Sequence, residues 1–334
     1  MNCDKTTAVS HPIQGLIKYH GLKDFEKRIP FHNSISVCIE PLATTTTVEV
    51  LDKGAADEFR IDGDRVAGRD CERVLSVLNE VRRLAGSGDA GAAGAAMVAG
   101  VKMVSQSNFP KYVGLGSSSS GFAALALSAC SAFGLELPLE KVSEIARLGA
   151  GSAARAVTGG FSEMIVDGER CYSRKLEGSD EIDLACVIPL VDHAEPTEGM
   201  HREVLTSPLF RARLEYLDGV LLEMRQAVKA HDLERACMLA ERDTLNLHAV
   251  TMTGEKEALT WQPATIAIIR AVWELRESGT PCWFSIDTGA TPYVNTYPEL
   301  IGEVVNRVQS IDGVSRVLTG YRGRETHLSG NHLF

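Results

Sequence analysis

Between Asn108 and Ala129 the chain reads NFPKYVGLGSSSSGFAALALSA, a glycine- and serine-rich turn that runs without a break into an apolar, small-residue stretch. Gly114 and Gly116 let a backbone turn tightly and bring amide groups close to a ligand, and the hydroxyls of Ser117, Ser118, Ser119 and Ser120 add donors. Phe122, Ala123, Leu125, Ala126 and Ala129 then supply a helix whose N-terminus would face the turn and attract an anion. The chemistry this suits is the holding of phosphate, with a nucleotide as the first expectation. It is not a Walker loop, because no Gly-Lys-Ser/Thr follows the glycines, and the GxGxxG of a dinucleotide site is absent here. An ordinary helix cap competes for the same residues, so the rest of the chain has to decide.

The elements that must position this loop can be read from the residue pattern. SISVCIE (34–40) and TTTTVEVL (44–51) are rich in β-branched residues and are separated by Pro41, which fits a hairpin or meander. Residues 69–84 space Val74, Leu75, Leu78, Val81 and Leu84 at helical intervals. The small-residue run over 84–100 reads as a loop leading into a strand, VAGVKMVS. After the serine loop comes a helix interrupted by glycines, LPLEKVSEIARLGAGSAARAVTGGF, which ends in a second serine-bearing turn suited to an anion. From about residue 183 the pattern changes to a buried strand, LACVIPLV, then helices over 207–231, 233–248 and 263–278, a strand–turn–strand at WFSIDTGATPYVNT, and a helix over 300–309. That change divides the chain into 1–182 and 183–334.

Bulk properties narrow the classes of function. The chain has 334 residues, 44% of them hydrophobic, enough for one large or two medium cores. A net charge of -10 argues against a nucleic-acid or anionic-membrane surface, so any phosphate site has to be local. No run approaches the length of a membrane span and MNCDKTTAVSHPI lacks a signal-peptide layout, so a cytoplasmic protein is expected. The eight cysteines are scattered without CxxC pairs or ligand spacing and read as reduced structural thiols.

Six ordered blocks carry a resemblance: LIKYHGLKD (16–24), IPFHNSISV (29–37), NFPKYVGLGSSSSGFAALA (108–126), RLGAGSAARAVTGGF (147–161), EGMHREVLTSPLFRAR (198–213) and SIDTGATPYV (285–294). Together they resemble the galactokinase, homoserine kinase, mevalonate kinase and phosphomevalonate kinase (GHMP kinase) superfamily, and within it the mevalonate-pathway decarboxylases. The resemblance implies an α+β, two-lobed GHMP kinase fold, with a ribosomal-protein-like N-terminal lobe that binds ATP and a ferredoxin-like C-terminal lobe that carries the catalytic aspartate. It implies ATP-driven phosphorylation of a tertiary hydroxyl followed by loss of phosphate and carbon dioxide, with magnesium as the companion ion. Asp287 then matches the catalytic aspartate that orients the 3-hydroxyl and accepts its proton. Ser117 and Ser118 match serines facing the ATP phosphates; Ser152 and Arg155 match residues that bind the substrate's anionic end, where a guanidinium fork suits planar anions. Lys18 and Tyr19 match the family's pair near the active carboxylate and substrate. A homodimer acting on a small molecule is implied; the magnesium ligands and the adenine pocket are not.

The departures bear on the substrate. Where the diphosphomevalonate enzymes commonly read KYWGK and GSGSAxR, this chain has KYHGL and GAGSAAR, so Leu22 replaces a lysine and Ala150 a serine. A site stripped of one cation and one hydroxyl suits less phosphate, each monoester group carrying about -1.5 to -2 charge. Ile13 also takes the place of the usual asparagine, with Gln14 beside it. The whole pattern, including MTG, WQPAT and DTGATPYVNT, resembles the branch that decarboxylates mevalonate 5-phosphate to isopentenyl phosphate. His20, His201 and Arg202 are candidates to restore the cationic character there. The diphosphate-specific enzymes, a mevalonate 3-kinase and a catalytically silent ATP-binding sensor are the rival readings; Asp287 argues against the 3-kinase, and Asp287, Arg155 and Lys18 together against the sensor.

Two substitutions test these roles. Asp287→Asn is expected to leave ATP binding near normal and to reduce turnover by orders of magnitude, measured by nucleotide titration and by ADP release. Arg155→Lys is expected to fail in the same turnover assay, because a point ammonium cannot reproduce the guanidinium fork.

Overall fold

Strand β5 (Ser34–Glu40) is buried along all but its last residue, so it needs cover on both faces and lies inside a sheet. The computed structural model describes residues 5–86, 99–110, 114–192 and 197–334. Before β5 come β1 (Thr6–Ser10), β2 (Ile13–Ile17), β3 (Leu22–Asp24) and β4 (Ile29–Pro30). After it come β6 (Thr44–Lys53), β7 (Glu58–Ile61), β8 (Asp64–Arg65), helix α1 (Gly68–Gly86), β9 (Ala99–Ser107), α2 (Ser117–Ala132), α3 (Leu139–Gly149), α4 (Ala153–Thr158), β10 (Phe161–Asp167) and β11 (Arg170–Lys175). The remainder is β12 (Ala185–Val191), α5 (Thr197–Glu203), α6 (Phe210–Lys229), α7 (Leu233–Met252), α8 (Pro263–Glu277), β13 (Cys282–Ile286), β14 (Pro292–Thr296), α9 (Ile301–Val308), β15 (Val314–Arg322) and β16 (His327–Ser329). The reading of 84–100 as a loop falls largely on 87–98, which lie outside the described residues, as do Cys3 and residues 111–113 of the serine block.

Two large sheets carry the fold among the described residues. The smaller runs β16-β1-β6-β9-β7-β8, and the larger runs β11-β10-β5-β15-β12-β14-β13, with β2 paired to β5 off that path. The architecture is α+β, as expected, but β5 and β6 do not form the expected hairpin. Pro41 breaks the ladder, and the two strands diverge: β5 pairs with β2, β10 and β15, while β6 pairs with β1 and β9. A strand as deeply buried as β5 gains more between two neighbours than in a two-stranded ribbon. Strands from both sides of residue 183 share the larger sheet, meeting at β5 and β15 through Ile39 and Glu40 against Arg322 and Tyr321.

Helices pack against both sheets, and β5 of the larger sheet is covered from two sides, by Cys38 in one core and by Ile35, Val37 and Ile39 in another. α1 to α4 build one core over the smaller sheet, from Val74, Leu78 and Val81 of α1, Phe122, Leu125 and Ala126 of α2, and Val142 and Ile145 of α3. α2 is buried nearly all round, which is why its sequence is small and apolar rather than amphipathic. α6 and α7 pack Leu217, Leu221, Met224, Leu239 and Ala240 against Ile35, Val37 and Ile39 of β5, and α8 and α9 cover β12 to β14 separately. The seven described cysteines are free and, apart from the half-buried Cys71, buried; burial pushes the Cys237 thiol beyond the usual range and those of Cys38 and Cys186 up to about 12.

Candidate active site

β2 pairs with β5 along one edge, and side chains from distant parts of the chain take up the amides on its other edge. Ile13 N donates to Ser119 Oγ (3.2 Å), Gly15 N to Asp287 Oδ1 (3.0 Å) and, just past the strand, Lys18 N to Asp243 Oδ2 (2.9 Å). The alternation of 13 and 15 is that of an extended strand, in which every second amide points the same way. Gly15 sits where the groups crowd most. A Cβ there would lie 2.7 Å from Asp287 Oδ1 and 3.0 Å from Lys18 Cγ, so only a glycine lets the acid and the lysine flank the strand.

Asp287 follows β13 and is half-buried. Burial raises its carboxyl above the ordinary aspartate range, opposed by the Lys18 charge, the Gly15 amide and the Arg155 charge. His248 Nε2 donates to the Asp287 carbonyl (2.8 Å), and burial holds this imidazole neutral, down to about 3. The turn is thus pinned from both sides. The ammonium of Lys18 donates to Thr244 Oγ1 and Ser285 Oγ, each at 2.9 Å. Burial lowers Lys18 to about 8, against the raising effect of Asp243 and Asp287.

The serine loop meets this centre directly. A Cβ on Gly289 would come within 3.8 Å of Gly114 Cα, so the aspartate turn and the loop are neighbours. Gly114 (φ 81°) and Gly116 (φ 65°) both need the left-handed region, and Gly116 ends against the Ile13 carbonyl. The four serines then separate. Ser117 and Ser118 line a cavity of about 300 Å³ bounded by α1, β6, β9 and α2, with Asp70, Arg73 and Thr44 in its wall. Ser119 and Ser120, expected with the ATP-binding group, turn inward instead: Ser119 Oγ donates to the Gly116 carbonyl (2.6 Å), and Ser120 Oγ pairs with Thr44 Oγ1 (2.7 Å). A helix advances about 100° per residue, so four successive side chains cannot all face one ligand.

A second group gathers around Tyr19. The Arg155 guanidinium lies over its ring at 5.4 Å, with Nη1 donating to Ser34 Oγ and Nε buried without a hydrogen-bond partner among the described residues. The Tyr19 hydroxyl faces Gly151, where a Cβ would come within 2.3 Å, and Ser152 beside it is half-buried with its hydroxyl uncommitted to helix capping. His201 stacks on Tyr19 (5.3 Å, 10°) and approaches His20 at 4.9 Å. Among the described residues neither His20 ring nitrogen has a well-formed hydrogen bond, and burial and the neighbouring His201 hold this imidazole neutral. Arg202 does not join them: it is exposed and lies over the Phe25 ring at 4.1 Å. Leu22 and Ala150 are both buried, the first in the β3–β4 hairpin and the second in the core under α2. Ile13 likewise enters that core, and the fully buried Gln14 amide has no hydrogen-bond partner among the described residues.

Sequence reasoning missed Arg213, Asp243, Thr244 and Ser285. Arg213 and Asp243 are completely buried, with Arg213 Nη2 3.0 Å from Asp243 Oδ1 and donating to the Lys18 carbonyl (2.7 Å). Each had one visible signal, a charged residue on the apolar stripe of an amphipathic helix: Arg213 ahead of Leu217 and Leu221, Asp243 between Leu239 and Leu247. Among the described residues no group of three or more His, Cys, Asp or Glu side chains is placed to hold a metal ion. Magnesium fits such a site only through nucleotide phosphates, waters and a hydroxyl or carboxylate.

Comparison with known proteins gives consistent matches. Residues 10–173 match the diphosphomevalonate decarboxylase-like N-terminal domain, and residues 191–325 the mevalonate 5-diphosphate decarboxylase C-terminal domain. The chain is 43% identical to the phosphomevalonate decarboxylase of Haloferax volcanii, over 91% of this chain and 92% of that one. Mevalonate diphosphate decarboxylase from Staphylococcus aureus superposes with a TM-score of 0.88 at 26% identity, covering 97% of this chain and 98% of that one. A complex of a neighbour with MVAPP, AMPPCP and magnesium gives a TM-score of 0.87 at 26% identity, covering 98% and 99%.

The crowding at β2 yields a direct test. Gly15→Ala is expected to lower turnover by about 100-fold or more, since a shift on the order of 1 Å in a reacting group costs that much. The far-ultraviolet dichroism is expected to stay that of the parent protein; full turnover by Gly15→Ala would mean that the approach of Asp287 and Lys18 does not matter.

Proposed function

Since the chain belongs to the diphosphomevalonate decarboxylase family, ATP-dependent decarboxylases of the mevalonate pathway, we propose that it converts mevalonate 5-phosphate and ATP to isopentenyl phosphate, ADP, phosphate and carbon dioxide. The observation that carries the choice of the monophosphate is the pair Leu22 and Ala150: where the diphosphate enzymes place a lysine and a serine, this chain has two buried apolar side chains. A second, fully ionised phosphate there would lose its hydration and meet no compensating donor from either position.

The geometry supports the following roles. Asp287, made more basic by burial, orients the substrate's 3-hydroxyl and takes its proton as the oxygen attacks the terminal phosphorus of ATP. The C3–O bond of the phosphorylated intermediate then breaks with the electron pair leaving on phosphate. The C1–C2 pair becomes the new C2–C3 double bond as carbon dioxide departs. Lys18 and Arg155 supply the positive charge around these anionic groups from buried positions, where a charge acts more strongly than in water. Arg155 with Ser152, Tyr19, His20 and His201 receives the 5-phosphate. Arg202 is left to the surface. The left-handed glycines and the Ser117 and Ser118 hydroxyls face ATP; magnesium would be held through the nucleotide phosphates with Ser117 or Ser118 and would offset phosphate charge. The two lobes are divided near residue 183, and the working form is a cytoplasmic homodimer; none of the described helices is long and apolar enough to cross a membrane.

The test is the release of ADP and of carbon dioxide by purified protein with magnesium-ATP and, separately, mevalonate, its 5-phosphate and its 5-diphosphate. Coupled release is expected to be strongest with the 5-phosphate. Preference for the diphosphate would overturn the inference from Leu22 and Ala150, and ADP without carbon dioxide would make the protein a kinase.

A further inference from the structure

Lys18 is held in an unusual way for a buried amine. Thr244 Oγ1 donates its own proton to the Ala240 carbonyl (2.8 Å), and Ser285 Oγ donates to the Gly15 carbonyl (2.8 Å). Both hydroxyls therefore have only lone pairs to offer Lys18 Nζ, which must donate to each. The third position on the nitrogen carries a proton when the group is an ammonium, and a lone pair when it is an amine. Burial favours the amine.

The groups that face Lys18 come from each packed element: Asp243, Thr244 and His248 from α7, Arg213 from α6, Arg155 from α4, Ser285 from β13 and Asp287 from the turn after it. Arg213 and Arg155 disfavour its charge, His248 being neutral; the two carboxylates favour it. Asp287 is the group that the reaction protonates, so its support is withdrawn during turnover. Asp243 takes no part in that transfer. It is completely buried, accepts from the Lys18 amide, and lies 3.9 Å from Nζ.

We propose that Asp243 is a positioning residue that fixes the Lys18 segment and keeps the Lys18 ammonium charged while Asp287 takes up the substrate's proton, with Arg213 as the counterweight that limits its field. This rests on the reading of Lys18 and Asp287 as the reacting centre. Because activity needs the ammonium, it is lost as pH rises through the Lys18 midpoint. Removing the Asp243 charge lowers that midpoint, and removing the Arg213 charge raises it. General damage to the fold does not move the two in opposite directions.

The experiment follows the pH dependence of kcat/KM with magnesium-ATP and mevalonate 5-phosphate. It also follows the Lys18 Cε resonance in protein made with isotope-labelled lysine, assigned by its loss in Lys18→Arg, with no substrate present. The parent midpoint is expected near about 8. Asp243→Asn should lower it by roughly one unit or more, so that activity falls about tenfold further at high pH than at neutral pH. Arg213→Gln should raise it, while Arg213→Lys should leave it in place, a pair that still decides the matter if Asp243→Asn does not fold. Midpoints that stay put, or that move together in Asp243→Asn and Arg213→Gln, overturn the proposal. If the resonance moves as stated while the 5-phosphate is not turned over, the substrate reading falls and the assignment of Asp243 stands.

Discussion

An extended strand buried on both faces must satisfy its amides on both edges, and β2 has a partner strand on only one. Each unpaired N–H left in such a place costs about 1–3 kcal/mol, so the open edge cannot be left bare. The protein answers with side chains rather than a further strand: Ser119, Asp287 and Asp243 each accept one amide from residues 13 to 18. Those three come from the serine-loop helix, the aspartate turn and helix α7. One stretch of backbone therefore serves as the ruler against which the serine loop, Asp287 and the support of Lys18 are set.

The same arrangement sets the electrostatics. Because Gly15 has no side chain, Asp287 and Lys18 come to its two flanks, where the opposite charge of each partly offsets the desolvation of the other. Further charges are stacked behind rather than beside them. Arg213 is neutralised by Asp243, and Arg155, among the described residues, by no carboxylate within salt-bridge distance, which leaves it facing Tyr19 with a buried nitrogen unpaired by them. A guanidinium with an open donor beside an aromatic ring is prepared for an anion in a way that a closed ion pair is not.

What the sequence makes readable here is local. The glycines of the serine loop announce left-handed turns, and the Asp-x-Gly turn announces Asp287, because both constraints act within a few residues. The helices over 207–231, 233–248 and 263–278 were legible from apolar spacing, and the observed α6, α7 and α8 differ from them by a few residues at the ends. The parting of β5 from β6 was not legible, since adjacency in sequence favours a hairpin and only tertiary burial sends the strands to different sheets. Nor was the split among the serines, although helical rotation alone forbids all of Ser117 to Ser120 from facing one way. Asp243 and Arg213 belong to no motif, and their purpose emerges only when α6 and α7 are laid against β2.

The smaller sheet ends on β16, which pairs with β1 through Val9 and His327, Ala8 and Leu328, and Thr7 and Ser329. Thr7 Oγ1 also meets His332 Nδ1 at 2.8 Å. The edge of the smaller sheet is thus closed by residues translated after all of β2 to β15. During synthesis β1 must wait with one edge bare while the other lobe emerges from the ribosome, a state in which strand edges invite pairing with other chains. The two halves of this fold are not separable modules in biogenesis: the lobe that is made first is the one finished last.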